Sequence, residues 1–384
     1  LTADAPIEIK STILRLKMAV QKEDYNKAFE LLQKAGDKSS PLAHFYLGVF
    51  YLNGYAVPID YDQAFKWFIS AANDGNPDAM HNIAYMLRNG LGRNINIIEA
   101  IKWYKQAADH GDPDALSVIG DIYKNGEGVA QDYEESFKWY EQAAENGDSY
   151  AQGYVGYFYE NGLGVDINFQ EALKWYKKAC DGGDEVAAFN IGVLYENGLG
   201  VIQDHSCALG YFIKSAEMGY APAMRQVGRK YEWGEGVDEN LEVAKEWLIK
   251  ALESGDIDAA NDLGCIEKGE KAIEWYKKGA EKGHVPCQYN IGRIYQHGEG
   301  VDIDYQEAFK WYELAAEGNF SPAYNNMGVM YAMGKGTKVN FKKAKDCYQK
   351  SLELGDVYSI SNIADLWFCG HGTEKHIPEA IRLF

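Results

Sequence analysis

The chain has 384 residues, 46% of them hydrophobic, and carries 57 Asp and Glu against 38 Lys and Arg for a formal net charge of −19. Such an acidic balance disfavours nucleic acid or an anionic membrane as the ligand and suits basic segments of other proteins. No apolar run approaches the length of a membrane span, so direct membrane insertion is not expected.

Taken from the beginning, residues 1–42 read as N-terminal capping helices and a partial repeat, with a helix from about Ile7 to Val20. The chain starts without Met, which is compatible with an export signal that was removed or left out. From residue 43 the text repeats. An alanine opens each unit at Ala43, Ala79, Ala115, Ala151, Ala187, Ala223 and Ala259, at intervals of 36 residues. Six regular units thus fill residues 43–258. A shortened unit spans 259–286, and Cys287, Ala323 and Ser359 then restore the spacing over 287–384. A fixed period of this length predicts stacked supersecondary units and no single closed core.

Each unit divides into two helices. In the one that starts at Ala151, apolar residues at Ala151, Val155, Phe158 and Tyr159 follow helical spacing, and Asn161-Gly162 ends the helix with the left-handed backbone that glycine accepts. The second helix opens on a side chain able to cap it: Asp24, Asp60, Asn96, Asp132, Asn168, Asp204, Asn240, Asp304 and Asn340. Gln63, Glu99, Glu135, Glu171 and Glu307, three residues on, complete a capping box. First helices enter through a cap and a proline at Ser40-Pro41, Asn76-Pro77 and Asp112-Pro113. Trp67, Trp103, Trp139, Trp175, Trp247, Trp275 and Trp311 share one position of the second helix, mostly followed by Phe or Tyr, and are assigned to the packing of the stack.

Read as A-x-x-N-[LIV]-G-x-x-Y-x-x-G-x-G-V followed by N/D-Y/F-x-x-A-x-x-W-[YF]-x-x-A-A-x-x-G, the chain resembles the Sel1-like repeat family, a relative of the tetratricopeptide repeats. The resemblance runs through about nine units from residue 24 onward. It implies an all-α, right-handed superhelical solenoid that acts as an adaptor between proteins, in secretory quality control or in bacterial signalling and host contact. It brings no catalytic residue and no cofactor with it.

The unit at 259–286 lacks residues at the end of its first helix and in the loop, which predicts a local change of curvature near residues 262–272. The last unit stops at Phe384 inside its second helix, as expected of a fragment of a longer protein, for example the regulatory or targeting arm of an enzyme. Cys180, Cys207, Cys265, Cys287, Cys347 and Cys369 fall at six different offsets, the pattern of buried thiols in a reducing cytoplasm. Cys369, His371 and His376 form a C-x-H-x₄-H cluster with three of the four ligands a structural zinc site uses. The recurrent Gly-x-Gly follows a helix and is a connector, not a phosphate cradle.

Function must then reside where the units differ. Residues two, three, six and nine places after the opening alanine face away from the core, on the helices that line the concave side in tetratricopeptide relatives. They supply the candidate binding face: Phe45, Tyr46, His81, Asn82, Tyr85, Tyr154, Tyr157, Phe189, Asn190, Arg225, Arg229, Tyr289, Asn290 and Arg293. Aromatics and arginines are the residues enriched at interface hot spots. Asn82, Asn190, Asn290, Asn326 and Asn362 share the third offset, where they either pin an extended peptide or bond a neighbouring helix. The expectation is a non-catalytic scaffold that binds a protein or a peptide.

Overall fold

The computed structural model describes residues 24–36 and 40–370, and every regular element among them is an α-helix. The capping helix expected at 7–20 and the end of the last unit lie outside the described residues. Two compact units divide the chain at Ile202 and Gln203.

In the first unit α1 (Tyr25–Gly36) precedes four helix pairs. These are α2 (Pro41–Asn53) with α3 (Tyr61–Asn73), α4 (Pro77–Asn89) with α5 (Ile97–Asp109), α6 (Ala115–Asn125) with α7 (Tyr133–Glu145), and α8 (Ser149–Asn161) with α9 (Phe169–Asp181); α10 (Glu185–Asn197) follows. The second unit begins with α11 (His205–Glu217) and continues with α12 (Ala221–Trp233) and α13 (Leu241–Glu253), then α14 (Asp258–Ile266) and α15 (Gly269–Ala280). It ends on α16 (Val285–His297) and α17 (Tyr305–Glu317), α18 (Ser321–Met333) and α19 (Phe341–Glu353), and α20 (Ser359–Cys369). Within each unit every helix packs on the one before it and the one after it, the order of an all-α solenoid.

The second helices are fastened at their first turn. Asp60, Asn96, Asp132, Asn168, Asp204, Asn240, Asp304 and Asn340 all accept a backbone N–H of that turn through the side chain, as the sequence predicts. The reciprocal half of the capping box does not form where it was expected. The N–H of the cap residue is already taken by a carbonyl of the preceding helix: Asp132 donates to Tyr123 O at 3.0 Å, Asn168 to Tyr159 O at 2.8 Å and Asp304 to Tyr295 O at 3.0 Å. Glu99 accepts the Asn96 side-chain amide at 2.9 Å instead, and Glu135 and Glu307 accept the indole N–H of Trp139 and Trp311 at 3.0 and 3.1 Å. Asp112-Pro113 also departs from expectation. Helix α6 starts two residues after the proline, and the Asp112 carboxylate meets His81 at 2.6 Å and accepts the Asp114 amide at 2.9 Å.

The core of most described repeats is a ring laid on a glycine, and in the repeat of α12 and α13 Leu248 takes the ring's place over Gly228. The fully buried side chain is not the repeated tryptophan but the aromatic after it: Phe68, Tyr140, Tyr176, Phe212 and Tyr312 are 0% exposed. Phe68, Tyr140, Tyr176 and Tyr312 lie over the first helix of their own repeat at its recurrent glycine. A Cβ on Gly156 would stand 2.7 Å from the Tyr176 ring, and one on Gly292 would stand 2.8 Å from Tyr312. The tryptophans are half-buried, apart from Trp175, and lysines cover the faces of Trp139, Trp175, Trp247 and Trp275: Lys178 sits 3.7 Å above Trp175 and Lys278 sits 3.8 Å above Trp275.

The second glycine of each Gly-x-Gly loop joins consecutive repeats. Gly92 and Gly200 have φ of 68° and 69°, and a Cβ there would come within 2.5 Å of Tyr61 and 2.7 Å of Phe169, the first residues of the preceding repeats' second helices. In the shortened repeat α14 has 9 residues where α12 and α16 have 13. Here α14 and α16 approach each other directly, and a Cβ on Gly269 would stand 2.8 Å from the Gly300 carbonyl oxygen.

The buried ring therefore outweighs the tryptophan beside it. Replacing Tyr176 by Ala should cost about 3–5 kcal/mol, whereas Trp275→Ala, which removes a half-exposed side chain, should cost about 1–2 kcal/mol. Gly156→Val should cost about 1–3 kcal/mol by forcing the helices apart. Urea denaturation midpoints of the three variants check this order.

Candidate functional site

The outward positions of the first helices are half-buried as a class, because each also meets the next repeat. Phe45 lies against Tyr46 and Phe68, with ring centroids 5.2 and 6.0 Å away, and leaves Tyr46 exposed. Tyr85 and Tyr157 are 45% and 43% exposed, while Tyr154 stacks flat on the buried Tyr140 at 4.8 Å and 4°. Phe189 and Asn190 are half-buried on α10.

A pattern across successive repeats governs this face. The residue two places after the opening alanine reaches the residue three places before the next one. His81 Nδ1 meets Asp112 Oδ2 at 2.6 Å, Ser117 Oγ donates to Asp148 Oδ2, and Arg225 Nε forms an ion pair with Asp256 Oδ2 at 3.0 Å. Asn325 reaches Asp356 through the Ser359 hydroxyl, which contacts both at 3.2 and 3.1 Å. Where the acid is replaced by Phe320 the donor is replaced too, and Tyr289 lies 5.2 Å from the Phe320 ring. At Gly153 an acid has no such donor. Gly153 faces Asp184, and a Cβ on the glycine would stand 2.6 Å from Asp184 Oδ2.

At that place the first unit opens into a cavity of about 710 Å³, which gathers Lys124, Tyr150, Tyr154, Tyr157, Asp184 and Asn190 around Gly153. Three of the residues expected from sequence, Tyr154, Tyr157 and Asn190, thus come together. Lys124 lies 3.9 Å over the Tyr154 ring, and its charge is held by Asp121 at 2.7 Å. Tyr176 closes the floor, its hydroxyl donating to Glu160 at 2.6 Å. Burial pushes that hydroxyl well above the ordinary tyrosine pKa, so it stays a donor.

The two acids contrast. Burial pushes the Asp112 carboxyl up, but the His81 contact and the Asp114 and Ala115 amides outweigh it and hold the pKa below the ordinary aspartate value. Asp184 caps α10 by accepting the Ala187 N–H at 2.8 Å, and there burial wins and raises its pKa. Sequence reading passed over Gly153 and Asp184. The signal was present in two columns read together, His81, Ser117, Gly153, Arg225 and Asn325 against Asp112, Asp148, Asp184, Asp256 and Asp356.

The remaining expected residues are engaged inside the fold. Arg225 also lies 3.2 Å from Asp258, Arg229 pairs with Asp262 at 3.8 Å while covering Trp233, and Arg293 pairs with Glu299 at 3.2 Å. Asn82 donates to the Asp78 carbonyl at 2.7 Å, Asn290 to Asn261 at 2.8 Å and Asn362 to Asn325 at 2.7 Å. Most of these asparagines therefore have a partner in their own or a neighbouring helix, while Asn190 also lines the cavity. Of the cysteine and histidine cluster, Cys369 is exposed at the end of α20, and His371 and His376 lie outside the described residues.

Comparison with known proteins agrees with this architecture. The family model described as Sel1 repeat matches ten segments, at residues 17–40, 41–76, 77–112, 113–148, 149–184, 186–220, 221–256, 259–284, 285–320 and 321–356. The crystal structure of a protective antigen of uropathogenic Escherichia coli with an SLR fold is 31% identical, with a TM-score of 0.69 over 94% of this chain and 79% of that one. A Sel1 repeat protein from Oxalobacter formigenes is 26% identical, with a TM-score of 0.59 over 88% of this chain and 89% of that one. No curated protein sequence matches the chain.

The two acids give opposite responses to pH. Asp112, with its folded pKa depressed, contributes stability that is complete above the unfolded value near ~3.9 and is lost as pH falls through the folded value. Asp184, with its folded pKa raised, contributes stability that is complete below the unfolded value and is lost as pH rises through the folded one. At pH 7 Asp112→Asn should lower stability by about 1 kcal/mol, and Asp184→Asn should leave it unchanged or raise it. Melting temperatures of both variants against the parent at about pH 7 and about pH 3 should show the two differences shrinking at the lower pH.

Proposed function

Because the chain belongs to the Sel1 repeat family, whose solenoid fold generally mediates contact between proteins, we propose that it is a non-catalytic scaffold. Its first helices, on the concave side, bind a segment of another protein. The observation that carries this reading is the open tyrosine cavity on that face. Aromatic side chains held by their neighbours offer contact area at little entropic cost. The cavity gathers tyrosines, an amide, two acids, a serine and a lysine, a lining dominated by aromatic contact surface. The net charge of −19 favours a basic segment as the ligand.

Affinity capture with the intact chain and with the Tyr154→Ala, Tyr157→Ala, Phe189→Ala triple variant tests the proposal. The parent should retain a defined partner that the variant loses at least tenfold, with Tyr46 and Tyr85 substitutions having smaller effects. Equal retention by the folded triple variant would exclude this face.

A further inference from the structure

The missing donor at Gly153 defines what the cavity receives. At the equivalent interfaces the chain itself supplies the group that satisfies the acid: an imidazole at His81, a hydroxyl at Ser117, a guanidinium at Arg225. At Gly153 only a hydrogen stands in that position, and the space continues into the cavity. Asp184 Oδ1 accepts the Ala187 amide at 2.8 Å, while Oδ2 is aimed at the place a side chain on residue 153 would occupy. The one cation on the cavity wall, Lys124, is already neutralised by Asp121. Asp184 is thus a half-buried carboxylate with no cationic partner, beside tyrosine faces.

We propose that this notch receives an arginine side chain from an extended segment of the partner protein, its guanidinium bonded to Asp184 and lying on the ring of Tyr154 or Tyr157. This rests on the groove reading above and names the group the groove selects. Arg225 against Asp256 shows that the interface geometry accommodates a guanidinium, with Nε 3.0 Å from the carboxylate. A planar guanidinium pairs with a carboxylate through two N–H groups and stacks on an aromatic ring at the same time, which an ammonium does not. The raised pKa of Asp184 has the same origin, since the acid is desolvated without a cation to compensate it. Filling the notch from within should therefore abolish the site: Gly153→Ser reproduces the Ser117 and Asp148 pair.

The test uses the full chain and two blocked pentapeptides, acetyl-Gly-Ala-Arg-Ala-Gly-amide and its citrulline counterpart, which keeps the shape and removes the charge. Amide chemical shifts of residues 153, 186 and 187 report on the notch. The arginine peptide should shift them saturably, the citrulline peptide should bind at least tenfold more weakly, and Gly153→Ser and Asp184→Asn should each weaken the arginine peptide at least tenfold. Both variants should keep the parent melting temperature or exceed it, which separates loss of binding from loss of fold. Equal binding of the two peptides, unchanged binding by Gly153→Ser, or no saturable shift at these residues would overturn the inference. Saturable shifts confined to other first-helix residues in both parent and Gly153→Ser would overturn the notch and leave the groove standing. Loss of the arginine response in Gly153→Ser together with full partner capture by the triple variant would support the notch and reject the groove as the partner's site.

Discussion

The spacing between the two helices of most repeats is set by an aromatic ring resting on a glycine of the facing helix. Tyr176 over Gly156 and Tyr312 over Gly292 leave no room for a methyl group, so the helices stand at a distance one ring thick. The remaining contacts follow from that spacing. It lets the cap residue of the second helix donate its N–H to the end of the first, and it brings the tyrosine hydroxyl within reach of a polar residue on the first helix's outer side, Glu160 or Gln296. A ring on a glycine is also dry, which is why a tyrosine at this position depends on that polar partner.

Between repeats a different rule applies. There the contact is a matched pair of side chains, a donor on one first helix and an acid at the entry to the next, or two aromatics in place of both. Matching holds the stack in register and at the same time consumes the polar groups of the outward face. Most arginines and asparagines on this face serve the fold before they serve a ligand. What remains for recognition is where a pair is incomplete, and Gly153 against Asp184 is such a place.

Much of this was legible in the sequence. The period, the helix pairs, the side-chain caps and the shortened unit all follow from positions that recur, since a recurrent residue has one structural role repeated. The tryptophans pack in the stack as expected, and what sequence did not show is that the residue after each is the more deeply buried of the two, as Tyr176 is beside Trp175. The capping boxes misled because sequence cannot show that the Asp132 N–H is already bonded to Tyr123. Asp184 was missed for a related reason. Its meaning lies in a residue 31 positions earlier, and a carboxylate read alone is one of 57.

The pairing between repeats also limits how such an array can lengthen. An extra copy of residues 112–147, inserted directly after itself, would set its Asp beside the Ser117 hydroxyl and close a sound junction. The same copy inserted after the repeat that holds Tyr289 would set a carboxylate where the Phe320 ring now lies, stranding a charge against an aromatic wall. Duplication of whole repeats is therefore screened at each new joint by two side chains, and the order of repeats along this chain is not freely permutable.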